Sequence, residues 1–272
     1  MTGFAELLRV APGTRPDLTA IDPRGTPGFE GDKAAAVDRV KDLRDELADF
    51  QEKLWAEQGQ SLLVVLQALD AGGKDGLIRK VFTAFNPQGT RVTGFGMPTE
   101  EELRHDFLWR VHAATPGKGR IGVFNRSHYE DVLVVRVKDL VPESVWQDRY
   151  ERINAFEAHL AANSTRIVKL YLHISRDEQR ARFQKRLDDP EKHWKWDSGD
   201  LETRERWTAF QAAYTDALER CSTEVAPWYV IPADRKWYRD LAAAEILAET
   251  ARAMDPQWPE PAEDIAAVVI PD

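Results

Sequence analysis

Hydrophobic residues change their spacing several times along this 272-residue chain. From residue 32 to about residue 59 they recur at intervals of three or four, which is typical of an amphipathic helix. The positions expected to face inward there are Val37, Val40, Leu43, Leu47, Phe50 and Leu54. Residues 62–66 are then continuously apolar, which is typical of a strand buried on both faces. The first part of the pattern therefore predicts a helix followed by a buried strand.

The same alternation continues to residue 254. Further strands are predicted at residues 90–95, 121–124, 166–174 and 228–231. Six helical patterns lie between and after these strands. The first ends at about residue 85, and the next three begin at the capping box at 99–102, at Pro142 and at the capping box at 175–178. The last two cover residues 201–221 and 238–254. Strands that alternate with helices favour an α/β fold, a three-layer α/β/α sandwich with a mainly parallel five-stranded sheet. Ligands of such sheets bind at the carboxyl ends of the strands.

Composition narrows the class of protein. Hydrophobic residues make up 43% of the chain and charged residues 31%, and the formal net charge is −9. An acidic chain has no overall attraction for nucleic acid or for an anionic membrane surface, so neither is expected as a partner. The single cysteine, Cys221, excludes an intrachain disulfide and favours a reducing, cytoplasmic compartment. No apolar run approaches the roughly 18 residues of a membrane span.

Three regions are expected along the chain. Residues 1–31, rich in Pro and Gly from residue 11 onward, are predicted to form an irregular N-terminal arm. Residues 32–254 form the α/β domain, in which residues 176–206 are expected to be a helical lid. Residues 255–272 form an acidic, Pro-containing tail.

The loop after the first strand has the context of a phosphate-binding loop. Backbone N–H groups of Gly72, Gly73 and Gly76 can approach phosphate oxygens, and Lys74, expected on the loop surface, supplies a full charge. The match to G-x-x-x-x-G-K-[ST] is imperfect, because Ala68 replaces the first glycine and Asp75 the Ser or Thr. A tight glycine-rich turn with solvated charges remains the structural alternative.

Asn125 and Arg126 follow the third predicted strand, where P-loop enzymes carry the acid that holds Mg²⁺. An amide there contributes no charge, and Glu130, five residues on, could point back toward a metal. The alternative is the start of a surface helix with ordinary charges. His128 in the same loop would serve as a phosphate carrier only in a two-step transfer, which direct transfer does not need.

A basic segment follows the fourth predicted strand. Arginine suits forked contacts with phosphate, and a helical lid with such residues would close over a transferring phosphoryl group. A solvated helical face is the alternative. Trp194 and Trp196 lie in the same polar region and could clamp a base or pack the lid. The lid cations that we single out are Arg180, Arg182, Lys185, Arg186 and Lys192.

Six segments together resemble the second family of polyphosphate kinases, over about residues 32–240. They are 66–76 (LQALDAGGKDG), 85–89 (FNPQG), 98–103 (PTEEEL), 106–110 (DFLWR), 123–132 (VFNRSHYEDV) and 182–186 (RFQKR). The resemblance implies a P-loop kinase fold with a helical lid. It also implies reversible transfer of the terminal phosphoryl group between inorganic polyphosphate and a nucleotide, with Mg²⁺ or Mn²⁺.

The resemblance further implies roles for residues of this chain. Asp70, Lys74, Asn125, Arg126 and Glu130 would be catalytic, with Asp70 and Glu130 as metal ligands. Asn125 followed by Glu130 is similar to the subgroup that phosphorylates both AMP and ADP. A polyanion needs a groove of cations, so phosphate contacts are expected from Gly72, Gly73, Asp75, Gly76, Arg79, Lys80, Arg91, Lys118 and Arg136.

Two other functions remain open from the sequence. One is an ATP-dependent nucleoside or nucleoside-monophosphate kinase, which shares the fold, lid and metal. The other is a nucleotide-binding domain without turnover. Use of guanine as well as adenine nucleotides, and a homodimer or homotetramer, are further expectations from the family.

Overall fold

The computed structural model describes residues 3–263, 268, 270 and 271. A five-stranded sheet lies at its centre, with all strands parallel in the order β2-β3-β1-β4-β5. The strands are β1 (Ser61–Gln67), β2 (Thr90–Gly94), β3 (Ile121–Asn125), β4 (Thr165–His173) and β5 (Trp228–Pro232). The predicted parallel sheet is therefore confirmed, and its strands begin and end within two residues of the predicted positions.

Helices cover both faces of the sheet. They are α1 (Phe4–Leu8), α2 (Lys33–Glu57), α3 (Lys74–Lys80), α4 (Trp109–His112), α5 (Val134–Val137), α6 (Glu143–Ala162), α7 (Arg176–Asp188), α8 (Gly199–Glu205), α9 (Trp207–Cys221) and α10 (Lys236–Met254). Short 3₁₀ helices lie at Phe82–Ala84, Glu102–Arg104, His128–Asp131 and Pro190–Lys195. In the described part of the chain, no helix is both long and apolar enough to cross a lipid bilayer.

Strand β1 is buried along its whole length because both of its faces are covered. Leu62, Val64 and Leu66 pack in one hydrophobic layer, with residues of α2 and α10. Leu63 and Val65 pack in the other, with residues of α6 and α9. The continuous apolar run in the sequence thus reflects two cores, one on each side of the sheet, and the three-layer architecture is confirmed.

Helix α2 agrees with its predicted bounds but not with all of its predicted inward positions. Asp32 caps it by accepting a hydrogen bond from Ala35 N at 2.9 Å. Leu43, Leu47 and Leu54 are fully buried, whereas Val37 is 43% exposed. Val37 lies in the first turns, where the buried face is completed by Ala36 instead.

The helix predicted from the capping box at residues 99–102 is wrong in its extent. The reciprocal hydrogen bonds of the box do form between Thr99 and Glu102, yet they open only the 3₁₀ helix Glu102–Arg104. Asp106 then accepts hydrogen bonds from the backbone of Leu108 and Trp109, at 3.0 Å each, which starts the separate short helix α4. Leu103, within this 3₁₀ helix, is 70% exposed.

The region around the predicted lid is also more broken than expected. The polar region that contains Trp194 and Trp196 includes the 3₁₀ helix Pro190–Lys195. The single helix predicted over residues 201–221 is two helices, α8 and α9, separated at Arg206, whose guanidinium donates to the Val137 carbonyl at 2.6 Å. Cys221 is buried as expected for a core residue, and burial raises the pKa of its thiol to about 12.

The N-terminal arm is ordered against the domain and is not wholly irregular, because it contains α1. Glu249 of α10 accepts the first backbone N–H of this helix, that of Phe4, at 2.7 Å. Val10 N then donates to Trp228 O at 2.9 Å, so the arm lies along the outer edge of β5. Residues 1–2 of the predicted arm, and residues 264–267, 269 and 272 of the predicted tail, lie outside the described residues.

Candidate active site

The loop between β1 and α3 needs its glycines for two different reasons. A side chain at Gly72 would bring a Cβ to 2.7 Å from the Leu69 carbonyl oxygen. Gly73 has a φ of +104°, a region that glycine adopts without strain. The loop therefore folds back tightly before α3 begins at Lys74.

Three side chains from other elements hold the carbonyl groups of this loop. Gln179 Nε2 donates to Asp70 O at 3.0 Å, and Arg182 Nη1 donates to Ala71 O at 2.9 Å, both from α7. From α10, Arg239 Nη1 donates to Gly73 O at 3.1 Å. The loop is thus fixed through its carbonyls, while the first-turn N–H groups of α3, which have no acceptor within the helix, are available to an anion.

Lys74 is buried, which corrects the expectation that it lies on the loop surface. Its side chain folds under the loop, and Nζ donates to the Ala68 carbonyl at 3.0 Å. Burial lowers the pKa of Lys74, with a further contribution from Arg126, and the carboxylates of Asp70 and Glu130 oppose this shift. The ammonium group therefore lies beneath the loop among charged neighbours.

The end of β3 brings a second set of polar side chains to the same place. Leu66 of β1 pairs with Asn125 in the sheet, so the two strands end side by side. Asn125 Nδ2 donates to Asp75 Oδ1 at 2.9 Å, and Arg126 Nη2 donates to Asp70 Oδ1 at 2.6 Å. Arg126 has a φ of 63°, which is uncommon for a residue with a side chain and marks a sharp turn directly after the strand.

Glu130 lies behind Arg126. Its Oε2 is 3.9 Å from Arg126 Nη1, and its side chain is 14% exposed. Burial raises the pKa of Glu130, while the positive charges of Arg126 and Lys74 oppose the shift. Glu130 thus lies on the side of Arg126, and its expected role toward a metal stays a prediction.

The glycine-rich loop, the end of β3 and residues of α3, α7 and α10 line a cleft of about 780 Å³. Eleven lysine or arginine residues and three aspartates border it, in a chain whose net charge is −9. The predicted site residues among them are Asp70, Gly72, Gly73, Lys74, Asp75, Gly76, Arg79, Lys80, Asn125, Arg126, Arg182, Lys185, Arg186 and Lys192. Although the chain as a whole is acidic, positive charge is therefore concentrated at the carboxyl ends of the strands.

Comparison with known proteins identifies the family of this chain. The family model of polyphosphate kinase 2 matches residues 30–259. The chain belongs to the polyphosphate kinase 2 family. An AMP/ADP-polyphosphate phosphotransferase of Meiothermus ruber is 54% identical over 96% of this chain and 98% of its own length. An ADP-polyphosphate phosphotransferase of Rhodopseudomonas palustris is 43% identical over 93% and 91%.

A solved structure of the same family agrees with the fold. The crystal structure of polyphosphate kinase 2 from Arthrobacter aurescens TC1 superposes with a TM-score of 0.94 and is 44% identical. The match covers 98% of this chain and 95% of that one. The resemblance noted from six sequence segments is thereby confirmed, together with the P-loop kinase-like fold.

Five predicted residues of this polyphosphate kinase 2 chain lie outside the lining of the cleft. Arg91 borders a separate groove of about 320 Å³ beside β2, and Arg180 is exposed on α7. Lys118 precedes β3, which places it at the opposite, amino edge of the sheet. Arg136 is paired with Asp216 at 2.6 Å on the face of α9. The expected phosphate contacts of Lys118 and Arg136 are therefore not supported by their positions, and Glu130, as described above, is behind the cleft wall.

Three charged residues that line the cleft were missed in the sequence. They are Lys236, Arg239 and Asp240 at the start of α10, and Lys195, from the basic segment after β4, lines the cleft as well. The signal was present, because α10 follows β5 and the loops after strands of a parallel sheet form its ligand site. Burial lowers the pKa of Lys236, and the nearby positive charges of Arg182 and Lys185 lower it further.

The two tryptophans of the predicted lid have different surroundings. The ring of Trp196 lies edge-on to that of Phe183, with centroids 6.3 Å apart, so it packs the 3₁₀ helix against α7. Trp194 is 77% exposed, with Lys195 Nζ 4.9 Å from its ring centroid. The packing alternative therefore fits Trp196, while contact of Trp194 with a base stays a prediction.

The cleft offers oxygen ligands suited to a hard cation. The carboxylates of Asp70 and Asp75 border it, and Mg²⁺ prefers such oxygens. Within the described residues, no three His, Cys, Asp or Glu side chains lie together as a metal-binding group. One or two carboxylates completed by substrate phosphates and water are the usual arrangement for Mg²⁺ in phosphoryl-transfer enzymes, so the donor set fits that metal.

Proposed function

We propose that this chain transfers the terminal phosphoryl group of inorganic polyphosphate to AMP and to ADP. The observation that carries the proposal is the cleft itself, in which eleven cationic side chains surround a phosphate-binding loop. Such a density of positive charge suits a linear polyanion as donor and a nucleotide phosphate as acceptor. The acceptors follow from the AMP/ADP-polyphosphate phosphotransferase of Meiothermus ruber, which matches this chain over nearly its full length.

Charge stabilisation is the main task of the site, because phosphoryl transfer proceeds through a loose transition state with charge on the phosphoryl oxygens. Lys74 contributes its ammonium from beneath the loop. Arg126 contributes a guanidinium that can contact two phosphate oxygens at once. The acceptor is already an anionic phosphate oxygen, so no strong general base is required, and the described lining of the cleft includes no histidine.

The lid residues divide into two groups in this proposal. Arg182 donates to the carbonyls of Ala71 and Ala233, at 2.9 and 2.6 Å, and so positions the loop. Lys185 and Lys195 border the cleft and are assigned to phosphate contacts. We therefore place the charge-neutralising part of the lid after Arg182.

Asp70 is the residue that would hold Mg²⁺ or Mn²⁺, with Glu130 behind Arg126 as the second predicted ligand. The bound metal would neutralise negative charge on the phosphate oxygens. Because Arg126 contacts Asp70 Oδ1 in this structure, the protein part of the mechanism includes a shift of that guanidinium from the carboxylate toward phosphate.

Incubation with polyphosphate and ADP, without ATP, tests the function. We expect ATP to form, and ADP to form when AMP is the acceptor. A nucleoside-monophosphate kinase can form ATP and AMP from two ADP, so the matched reaction without polyphosphate is the control: product formation by an ATP-dependent kinase would not depend on polyphosphate. A binding domain would yield no product with any donor. The same assay with GMP and GDP tests the expected use of guanine nucleotides, and light scattering tests the expected dimer or tetramer.

Salt is expected to weaken the use of polyphosphate more than that of nucleotide. A long polyanion bound by many cations releases counterions, so its affinity falls steeply with ionic strength. Between 50 and 200 mM salt we expect the apparent KM for long polyphosphate to rise by at least about fivefold. The KM for AMP, which has one phosphate, should rise by about twofold or less. An equal rise of the two KM values would contradict an extended polyphosphate track.

Acceptor range is expected to depend on Glu130 and Asn125. Glu130→Gln keeps the side-chain volume but removes a carboxylate near Arg126 and Lys74. We expect it to lower the AMP/ADP ratio of initial rates by about fivefold, because a changed metal position selects between acceptors that differ by one phosphate. Asn125→Asp, which adds a charge beside Asp75, should change the ratio in the same direction.

Initial rates with each acceptor at saturating polyphosphate and Mg²⁺ measure this ratio. Glu205→Gln, on α8, is a control of the same chemistry. An unchanged ratio in Glu130→Gln would show that acceptor range is set elsewhere.

A further inference from the structure

A buried polar cluster lies on the sheet face opposite α3, directly below the turn that carries Arg126. It consists of Glu157 on α6, Lys169 on β4, and His128 and Tyr129 in the 3₁₀ helix His128–Asp131. None of these four side chains is more than about 1% exposed. The burial of His128 also argues against the phosphate-carrier role considered from the sequence.

The hydrogen bonds of this cluster are nearly complete. Lys169 Nζ donates to Tyr129 Oη at 2.8 Å, to Glu157 Oε2 at 2.5 Å and to the Cys221 carbonyl at 2.6 Å, which accounts for all three of its N–H groups. Glu157 Oε1 accepts from Tyr129 Oη at 2.9 Å, and His128 Nε2 lies 3.1 Å from the same Glu157 Oε1. One lysine and one glutamate thus form a neutral, paired unit in the hydrophobic layer.

Stability alone does not explain such a cluster. Moving a lysine and a glutamate out of water carries a large desolvation cost, and a well-packed apolar pair at such positions is often as stable or more so. The ion pair instead orients its hydrogen-bond partners, because its hydrogen bonds are satisfied in one arrangement of those partners. The partners that it orients are the two residues at the start of the 3₁₀ helix.

The opposite side of that short helix faces the active site. Asp131 is held by Arg149 of α6, which donates to its carboxylate and to its carbonyl at 3.0 Å. With His128, Tyr129 and Asp131 anchored to the scaffold, Glu130 is the member of the helix that is directed toward Arg126. A four-residue 3₁₀ helix has poor hydrogen-bond geometry and needs such external anchors to keep its position.

We propose that the buried pair Lys169–Glu157, through Tyr129 and His128, positions the turn that places Arg126 and Glu130 in the phosphoryl-transfer site. The proposal rests on the function proposed above. These four are positioning residues, because the contacts that they make are to one another and to the scaffold rather than to the cleft. Loss of one of their hydrogen bonds should loosen the placement of Arg126 without removing any charge from the cleft.

Tyr129→Phe is the first test, because it removes one hydroxyl and keeps the ring. We expect kcat with polyphosphate and AMP to fall about tenfold, with KM for each substrate changed by less than about twofold, as for a contact that matters in the transition state. Tyr238→Phe is the matched control, since it also removes the hydroxyl of a buried tyrosine, one that donates to Pro27 O at 2.6 Å on the other side of the sheet. Its kcat should stay within about twofold of the parent.

A double-variant cycle with Arg126→Lys separates positioning from general destabilisation. If Tyr129 acts through Arg126, Tyr129→Phe should cause little further loss of kcat in the Arg126→Lys background. A full tenfold further loss there, or an unchanged kcat in Tyr129→Phe alone, would overturn the proposal. Absence of turnover in the unaltered protein would instead overturn the proposed function.

The charged pair itself is tested by Lys169→Met with Glu157→Gln, which leaves no unpaired charge buried. We expect a folded protein with a cooperative thermal transition and a similar fall in kcat. A kcat equal to that of the unaltered protein would contradict the role of the pair. If this double variant does not fold, the Tyr129→Phe cycle decides.

Discussion

Lys74→Ala is expected to lower kcat by at least about 100-fold, because it removes a charge that interacts more strongly as negative charge develops on the transferring phosphoryl group. The ammonium lies beneath the glycine-rich loop, 3.0 Å from the Ala68 carbonyl oxygen, and is shielded from solvent. Its interaction with phosphate is therefore weakly screened by water. Initial rates at saturating polyphosphate and nucleotide measure the effect.

Burial of Lys74 requires a control for folding, since an alanine would leave a space under the loop. Lys74→Met keeps most of the side-chain volume and removes the charge alone. We expect the same loss of kcat in both variants, and a thermal midpoint nearer to that of the unaltered protein in Lys74→Met. Lys41→Ala, an exposed lysine on α2, should change neither quantity. Near-normal turnover of Lys74→Met would show that this loop is not the phosphate-binding loop.

Arg126→Ala is expected to lower kcat to a similar extent, by at least about 100-fold, for a different physical reason. The guanidinium can contact two phosphate oxygens in a fixed plane, so it supplies both charge and orientation. Arg126→Lys keeps the charge, and the unusual backbone φ of 63° is equally demanding for alanine and for lysine. The comparison between the two variants therefore isolates the side chain, and lysine should recover part of the lost kcat.

Removal of Arg126 also leaves Asp70 without its partner at 2.6 Å. If Asp70 holds the metal, Arg126→Ala should lower the Mg²⁺ concentration needed for half-maximal rate, because a competing cation has been removed. Arg152→Ala, on the exposed side of α6, serves as the control. A kcat in Arg126→Ala within about threefold of the parent would contradict the assigned role.

Four of the five strands, all except β2, are buried at nearly every position. Their short apolar runs differ from the three-to-four spacing of the amphipathic helices, which made most of the sheet predictable. The loop residues from Asp70 to Gly76 and the pair Asn125–Arg126 were predictable for a related reason. Each follows a strand of a parallel sheet directly, and adjacent strands end at one edge. The proximity of such residues can therefore be predicted without knowledge of how the helices pack.

Cations farther from a strand end were not predictable in this way. Arg136 pairs with Asp216 of α9 and lies over the ring of Trp146 of α6. Lys118 has a favourable charge but precedes its strand instead of following it. Conversely, Arg239 reaches the glycine-rich loop from the first turn of α10, a contact between residues 166 positions apart that no local pattern encodes. The predicted extent of the helix after Thr99 was wrong because the turn that Asp106 forms with the backbone of Leu108 and Trp109 could not be weighed against the periodicity.

The hydrogen bonds between α7 and the glycine-rich loop restrict how the predicted lid can close. Gln179 and Arg182 hold the loop at Asp70 O and Ala71 O, and Arg182 also holds Ala233 O after β5. A rigid-body rotation of all of α7 would break these hydrogen bonds, which involve partly buried groups, at a cost of about 1–3 kcal/mol each. The hinge of any closing movement must then lie beyond Arg182, so that the part carrying Lys185, Lys192 and Lys195 bends while the first half of α7 stays with the sheet. The glycine-rich loop and the first half of α7 would therefore move together in any closure of the predicted lid.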